Sequence, residues 1–241
     1  QTGKCHASLR QLKHLHGPLG VGTCKVCHPA AGKVSGPGHA KGQMRTLSGK
    51  RTVCLSCHGD VATELQRKHL HKPVAGVPCE FCHQPHGSSG KFLLRDVPAT
   101  AKNKPFCFWC HKEQVGFTGK LRHKPLEGGR CSACHQTHAA DYRALLQKPQ
   151  RNLCLGCHKV KWRKRRVMHG PVAAGLCTAC HEPHTAAEPA LLKYPRAKLC
   201  LACHQEKAIK KGHARVKTAD RPCLDCHDPH QSAKFRSFFV N

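Results

Sequence analysis

The chain has 241 residues, 41 of them Lys or Arg against 13 Asp or Glu, for a formal charge of +28, and aromatic residues make up only 5%. A length that ordinarily supports one or two domains is paired with a composition that supplies no apolar core: strongly apolar runs are as short as Phe92-Leu93-Leu94 and Leu145-Leu146. No segment approaches the roughly 18 apolar residues of a bilayer-spanning helix, so no transmembrane segment is expected.

In chain order, a Cys-x-x-Cys-His pattern occurs nine times. Its residues are Cys24, Cys27 and His28; Cys54, Cys57 and His58; Cys79, Cys82 and His83; Cys107, Cys110 and His111; Cys131, Cys134 and His135; Cys154, Cys157 and His158; Cys177, Cys180 and His181; Cys200, Cys203 and His204; and Cys223, Cys226 and His227. Cysteine pairs at this spacing also build zinc sites, thioredoxin-like centres and disulfide frameworks, but none of these needs a histidine directly after the second cysteine. Histidine is 22 of 241 residues, so nine chance placements in succession are excluded. Two such thiols can add to the vinyl groups of one haem and leave the histidine to ligate its iron, the signature of c-type haem attachment.

The motifs alternate. A first type (A) is followed by a histidine close to a proline, then by a second type (B) with another histidine three residues on, as in His71-Lys72-Pro73, Cys79 to His83 and His86. His123 and His138 flank the motif at Cys131 in the same way, His169 and His184 the one at Cys177, and His213 and His230 the one at Cys223. The A motifs at Cys54, Cys107, Cys154 and Cys200 recur after 53, 47 and 46 residues, a repeat architecture with units of about 1–50, 51–103, 104–150, 151–196 and 197–241 in one array. Leu93-Leu94, Leu145-Leu146 and Leu191-Leu192 lie seven and eight residues past His86, His138 and His184, with Phe238-Phe239 one position later in the last unit; these are expected to cover haem faces or edges. Helices are predicted over Ser8–Leu15, Asp60–Lys68 with Asp60 as cap, Asp141–Gln147 and Lys159–Met168. Strands are not evident, so the fold class is mostly irregular with short α-helices and negligible β, packed on haem in an elongated array.

Aligned on His16-Gly17-Pro18 and Cys24, the first unit places an A motif at positions 2 to 6, which read Thr2-Gly3-Lys4-Cys5-His6. The first cysteine is replaced by Thr2, leaving attachment through one thioether at Cys5, a cysteine ahead of Gln1, or a free thiol as the alternatives. Ligand counting favours a tenth haem. Nine motif histidines and His6 make ten proximal ligands. Ten distal places are then filled by His16, His39, His71, His86, His123, His138, His169, His184, His213 and His230, with His14 and His69 to spare. His39 substitutes for the histidine missing at Ala31. His16, His71, His123 and His169 lie eight residues before a B motif, and His213 lies ten before. A histidine three residues past a proximal ligand cannot reach the opposite face of the same porphyrin, so His86 is expected on a neighbour, the haem of Cys54 and Cys57. His71 is expected to fold back over its own haem at Cys79 and Cys82.

His169-Gly170-Pro171-Val172-Ala173-Ala174-Gly175 leading into Cys177 to His184, with Leu191-Leu192 before Cys200, resembles the doubled Cys-x-x-Cys-His cytochromes of the multihaem c superfamily. The eight-residue spacing of the upstream histidine is similar to that of cytochrome c3. The resemblance covers the chain, departing at Thr2, at Ala31 and in the 213-to-223 spacing. It implies electron transport in the periplasm or at the outer surface of respiring bacteria, including as a haem wire threaded through an outer-membrane porin, with other cytochromes as redox partners.

Two propionates per haem bring 20 negative charges for ten haems and reduce +28 to about +8 with ferrous iron, so the basic residues are largely internal neutralisation and no nucleic-acid partner is expected. Clusters such as Lys161 to Arg166 and Lys210 to Lys217 read either as docking surfaces for acidic partners or as solvated faces. Bis-histidine iron has no open coordination site, so the chain is read as an electron carrier and not an enzyme. No motif ends in lysine, as the catalytic haem of pentahaem nitrite reductases does. The competing readings are a subunit of an extracellular filament, self-associating through terminal haems, and a multihaem reductase. Because c-type haem is attached outside the cytoplasm, the chain from Gln1 reads as an exported product whose leader has been removed, periplasmic, outer-membrane-associated or extracellular.

Overall fold

The structure is a computed structural model, and it describes residues 4–33, 43–96, 106–112, 119–159, 167–213 and 221–232. The chain divides into two compact units, Gln1–Trp109 with Gln136–Leu145, and Cys110–His135 with Leu146–Asn241. Both are built from short helices, single turns and irregular backbone. Among the described residues the buried hydrophobic side chains are Leu19, Ala139, Ala140, Ala186, Leu192 and Leu199, half of them alanine. Larger apolar groups such as Phe92, Leu176 and Val26 stay exposed. Polypeptide alone thus builds almost no core, as the composition requires.

Among the described residues the regular backbone pairing is eight strands of two residues: β1 His14–Leu15, β2 His69–Leu70, β3 Gly87–Ser88, β4 Leu121–Arg122, β5 Ala139–Ala140, β6 Val167–Met168, β7 Thr185–Ala186 and β8 Gln231–Ser232. They form four antiparallel pairs, β1 with β3, β2 with β5, β4 with β7 and β6 with β8. Each pair joins the strand just before the proline-associated histidine of one repeat to the strand just after the last histidine of the next. The partners are therefore some 60 to 75 residues apart in sequence, as in His14 opposite Ser88 and Val167 opposite Ser232. Two residues per strand are too few to stand alone. What fixes them is close approach of small side chains: Ala139 and Ala140 are fully enclosed, and a Cβ on Gly119 would come within 2.8 Å of the Ala186 nitrogen.

After each of β1, β2, β4 and β6 the histidine takes an extended conformation at the N-cap of a one-turn helix with proline in its first turn: Gly17–Gly20, Lys72–Gly76, Lys124–Glu127 and Gly170–Ala173. Proline suits this place because it has no N–H and its φ is already helical. In the second and fourth repeats an arginine three residues ahead of the A motif donates to the carbonyls closing that helix. Arg51 bonds Val74 O and Val77 O, and Arg151 bonds Val172 O (3.1 Å) and Ala173 O (3.3 Å).

Several predicted elements differ. Lys4–Gln11 is a 3-10 helix that gives way to β1 where Ser8–Leu15 was expected to be one helix. The helix expected over Asp60–Lys68 is Gly59–Glu64, and Asp60 lies in its first turn while His58 holds the cap position. Val167 and Met168, expected at the end of a helix, form β6; residues 160–166 and Phe238-Phe239 lie outside the described residues. The helix expected over Asp141–Gln147 is a single turn, Arg143–Leu145, with Ala144 and Leu145 both left-handed (φ 55° and 54°). The same double left-handed turn occurs at Phe92-Leu93 and Ala190-Leu191. A non-glycine residue in that conformation costs about 1–2 kcal/mol, so the turns must be held by what they bond. Because Ala139 has no room around it, Ala139→Leu is expected to destabilise the chain by about 1–3 kcal/mol, seen as a lower urea midpoint by circular dichroism.

Candidate haem-ligand sites

Each motif is a tight turn. The N–H of the motif histidine donates to the carbonyl of the first cysteine, as from His28 to Cys24 (2.9 Å), His83 to Cys79 (3.0 Å) and His204 to Cys200 (2.8 Å). The second cysteine sits inside the same turn: the N–H groups of Cys27, Cys57, Cys82 and Cys226 donate to the carbonyls of Cys24, Cys54, Cys79 and Cys223 at 3.2, 3.2, 3.2 and 3.3 Å. This double closure gathers two thiols and one imidazole around a single turn, which is what the three-residue cysteine spacing is for.

None of the described cysteines is joined in a disulfide. Cys57 and Cys226 are exposed, while Cys27 and Cys82 are half-buried.

Facing histidines complete the sites. His16 lies opposite His58, His28 opposite His86, His83 opposite His138, His123 opposite His158, His135 opposite His184, His169 opposite His204, His181 opposite His230 and His213 opposite His227. Ring centroids are 5.8–6.2 Å apart in every case. Two metal–imidazole bonds of about 2 Å each, with the ring half-widths, give about the same distance, so each gap is the width of one iron between two imidazoles.

The ring nitrogens are prepared for this. Nδ1 of His16, His71 and His123 donates to the carbonyls of Pro85 (2.7 Å), Thr137 (2.9 Å) and Pro183 (2.9 Å). A carbonyl only accepts, so Nδ1 carries the proton and Nε2 keeps a lone pair for metal. His83 and His181 make the same bond to Phe92 O (2.9 Å) and Ala190 O (2.8 Å), carbonyls presented by the left-handed turns. The backbone strain at Phe92-Leu93 and Ala190-Leu191 thereby orients a proximal ligand. In the first repeat, which has no paired leucines, Thr46 Oγ1 lies 3.3 Å from His28 Nδ1 instead. Burial lowers the pKa of His83, His86, His184 and His230 below 6.5, keeping them neutral and able to bind metal.

The pairing corrects two expectations. His86 faces His28 and not His58, so it reaches the B motif of Cys24 and Cys27 in the preceding repeat instead of the A motif of Cys54 and Cys57 in its own. The upstream histidine does not fold back: His16 faces His58, the A motif of the next repeat. The opposite side of His83, in the motif of Cys79 and Cys82, belongs to His138, leaving no place there for His71. Adjacent repeats exchange ligands. One gives its upstream histidine forward and receives the downstream histidine of the next. The strand pairs clamp the two exchanged residues together, through His16 N–H to His86 O (3.0 Å), His71 N–H to His138 O (2.8 Å), His123 N–H to His184 O (2.9 Å) and His169 N–H to His230 O (3.1 Å). His213 alone of the upstream class follows the expected fold-back, facing His227 in the motif of Cys223 and Cys226 of its own repeat. Its Nδ1 is bonded to Ile209 O (2.8 Å) inside the helix Glu206–Gly212.

The remaining predicted residues are placed less fully. His111 ends the helix Phe108–His111, and His6 is exposed on Lys4–Gln11; the Cys5 side chain and His39 lie outside the described residues. The spare His14 and His69 are strand residues at positions held by Leu121 and Val167 in later repeats.

The attachment points follow one another in order. Burial and the neighbouring first cysteine of the B motif push the thiols of Cys54, Cys154 and Cys200 up to about 11, each sharing a hydrogen bond with Cys79, Cys177 and Cys223 respectively. Burial likewise raises Cys134 and Cys180, helped by Cys157 and Cys203 of the next A motif. Thiols therefore lie side by side from Cys27 through Cys54 to Cys79 in one unit, and between successive motifs from Cys134 to Cys223 in the other.

Paired thiols, a turn that adds a histidine, and a second histidine one iron-width away fit haem c and define a multihaem c-type cytochrome. The chain belongs to the doubled CXXCH motif family, matched over residues 71–116, 123–162 and 169–209. Each matched segment opens on an upstream histidine, His71, His123 or His169, and closes just past the next A motif. The chain is 30% identical over 177 residues to the multiheme cytochrome MtrA of Shewanella baltica (strain OS185), an alignment covering 65% of this chain and 51% of that protein. It thus spans about half the length of this curated relative.

The rings of His213 and His227 cross at 83°, whereas those of His16 and His58 are 11° apart. Crossed imidazole planes leave the two iron dπ orbitals nearly equal in energy, which raises the largest g value of a low-spin ferric haem. The oxidised protein is expected to show a large-g component from this pair in its electron paramagnetic resonance spectrum, and His213→Met to remove it while leaving the near-parallel components.

Proposed function

We propose that this protein carries electrons along a file of ten bis-histidine haems c, as a periplasmic wire or as the haem-bearing part of an outer-membrane conduit. The observation that carries the reading is the ordered succession of facing histidine pairs, each closed on both sides. Haem c, when bound, supplies a one-electron Fe(III)/Fe(II) couple. The chain's part is to hold each iron between two neutral imidazoles, fix the tautomer through backbone carbonyls and keep successive attachment points adjacent. Two histidines per site leave no coordination position for a substrate, in keeping with an electron carrier and not an enzyme.

The tenth haem rests on Cys5 and His6, with His39 among its candidate ligands, and completes five two-haem repeats bounded near residues 50, 103, 150 and 196. The relative's name supports a place in an electron-transport chain. Other cytochromes and an outer-membrane porin are the proposed partners, and an exported location follows from the chemistry of haem attachment. Among the described residues, no helix is long and apolar enough to cross a membrane.

Intact mass of the purified protein is expected to count ten haems, and Cys5→Ala nine. A mass of nine in the unaltered protein would remove the site at Cys5. A reductive titration is expected to take up one electron per haem with a wholly low-spin oxidised spectrum; a high-spin, five-coordinate component would overturn the carrier reading in favour of a reductase.

A further inference from the structure

Glu64 stands out among the groups around the candidate ligands. Its Oε2 lies 3.1 Å from Nδ1 of His138, the ring that faces His83, and both side chains are largely withdrawn from solvent, with 20% and 28% of their surface exposed. The upstream histidines His16, His71 and His123 give the same nitrogen to a neutral backbone carbonyl. Glu64 closes the helix Gly59–Glu64, which starts directly after His58, so the A motif of one repeat delivers a carboxylate to a ligand sent back from the next. His138 is held from a second side as well, since its carbonyl accepts the His71 N–H at 2.8 Å.

The sequence makes this placement particular to one repeat. Six residues after the motif histidine, where Glu64 follows His58, the first repeat has Leu12 after His6 and the last has Lys210 after His204. Leu12 lies beside the strand that follows His86, for a Cβ on Gly87 would come within 3.0 Å of its Cδ1. A hydrophobic group thus occupies the corresponding space in the first repeat. In a chain with 13 acidic residues against 41 basic ones, a carboxylate set against a ligand nitrogen is not background charge.

We infer that Glu64 is a tuning residue, acting through His138 to set the haem held at Cys79 and Cys82 to a lower reduction potential than Glu64-free ligation would give. The inference rests on the proposed pairing of His83 with His138. A carboxylate that accepts from Nδ1–H draws the ring towards imidazolate and makes Nε2 the stronger donor. Stronger donation favours Fe(III), and the carboxylate charge, poorly screened where water is scarce, favours the same state. Both effects have one sign: adding the electron to this iron becomes harder, and the file acquires a local step at its third motif.

The test is a spectroelectrochemical titration of the haem-loaded protein at neutral pH with Glu64→Gln, Glu64→Asp and His138→Met. Glu64→Gln keeps an acceptor and removes the charge. It is expected to shift the equilibrium constant for reducing one haem at least tenfold towards ferrous, 59 mV for a one-electron couple, with unchanged intact mass and a low-spin spectrum. The difference from the parent titration should integrate to a single haem. Glu64→Asp should restore part of the shift. His138→Met should alter the ligation spectrum of one haem. If His138→Met changes no haem, the pairing fails and the inference with it. If His138→Met alters one haem and Glu64→Gln shifts none, the pairing stands and the role of Glu64 is overturned.

Discussion

Everything in this protein depends on holding two imidazoles about 6 Å apart with their lone pairs turned to the gap between them. An iron in that gap needs both at once, and in every described pair but His213 with His227 the two come from different repeats. His28 waits for His86, His83 for His138, His135 for His184 and His181 for His230. No repeat among these can complete its own B site until the next has folded against it. The two-residue strand pairs are the joint: each ties a histidine given forward to a histidine sent back, so one short ladder sets the position of both exchanged ligands.

This arrangement replaces a core. Among the described residues the buried apolar side chains are few, and half of them are the alanines of the strand pairs, Ala139, Ala140 and Ala186. Larger apolar groups such as Phe92 and Leu176 stay exposed. The same economy explains the backbone strain at Phe92-Leu93 and Ala190-Leu191. A double left-handed turn without glycine is costly, yet it places one carbonyl against the Nδ1 of His83 or His181, and that bond decides which nitrogen of the proximal ligand faces the metal.

The haem-attachment motif was fully legible, because Cys-x-x-Cys-His is local chemistry and one turn of backbone realises it. The histidines that face the motif histidines among the described residues were singled out by spacing, and the irregular fold with little β structure by composition. The pairing was not. Distance along the chain suggested that a histidine eight residues upstream returns to its own haem, but the strand just before it is held by a strand from the following repeat, and that contact between segments some 60 to 75 residues apart leaves no trace in local periodicity. The altered spacing before Cys223 did carry information: His213 is the one upstream histidine seen to return to its own motif, and it does so from inside a helix rather than from the end of a strand. The turn at Ala144-Leu145 reads as helix in the sequence because nothing in Asp141–Gln147 announces a positive φ, glycine being absent. The Glu64 contact was invisible for the same reason as the pairing, since the histidine it meets, His138, lies 74 residues away.

The exchange of ligands between repeats is the central claim, and iron positions test it most directly. In an experimental structure of the haem-loaded protein, with iron located by anomalous scattering, one iron is expected between His28 and His86 and another between His16 and His58. An iron flanked by His16 and His28 would show that each repeat closes on itself and would contradict the account.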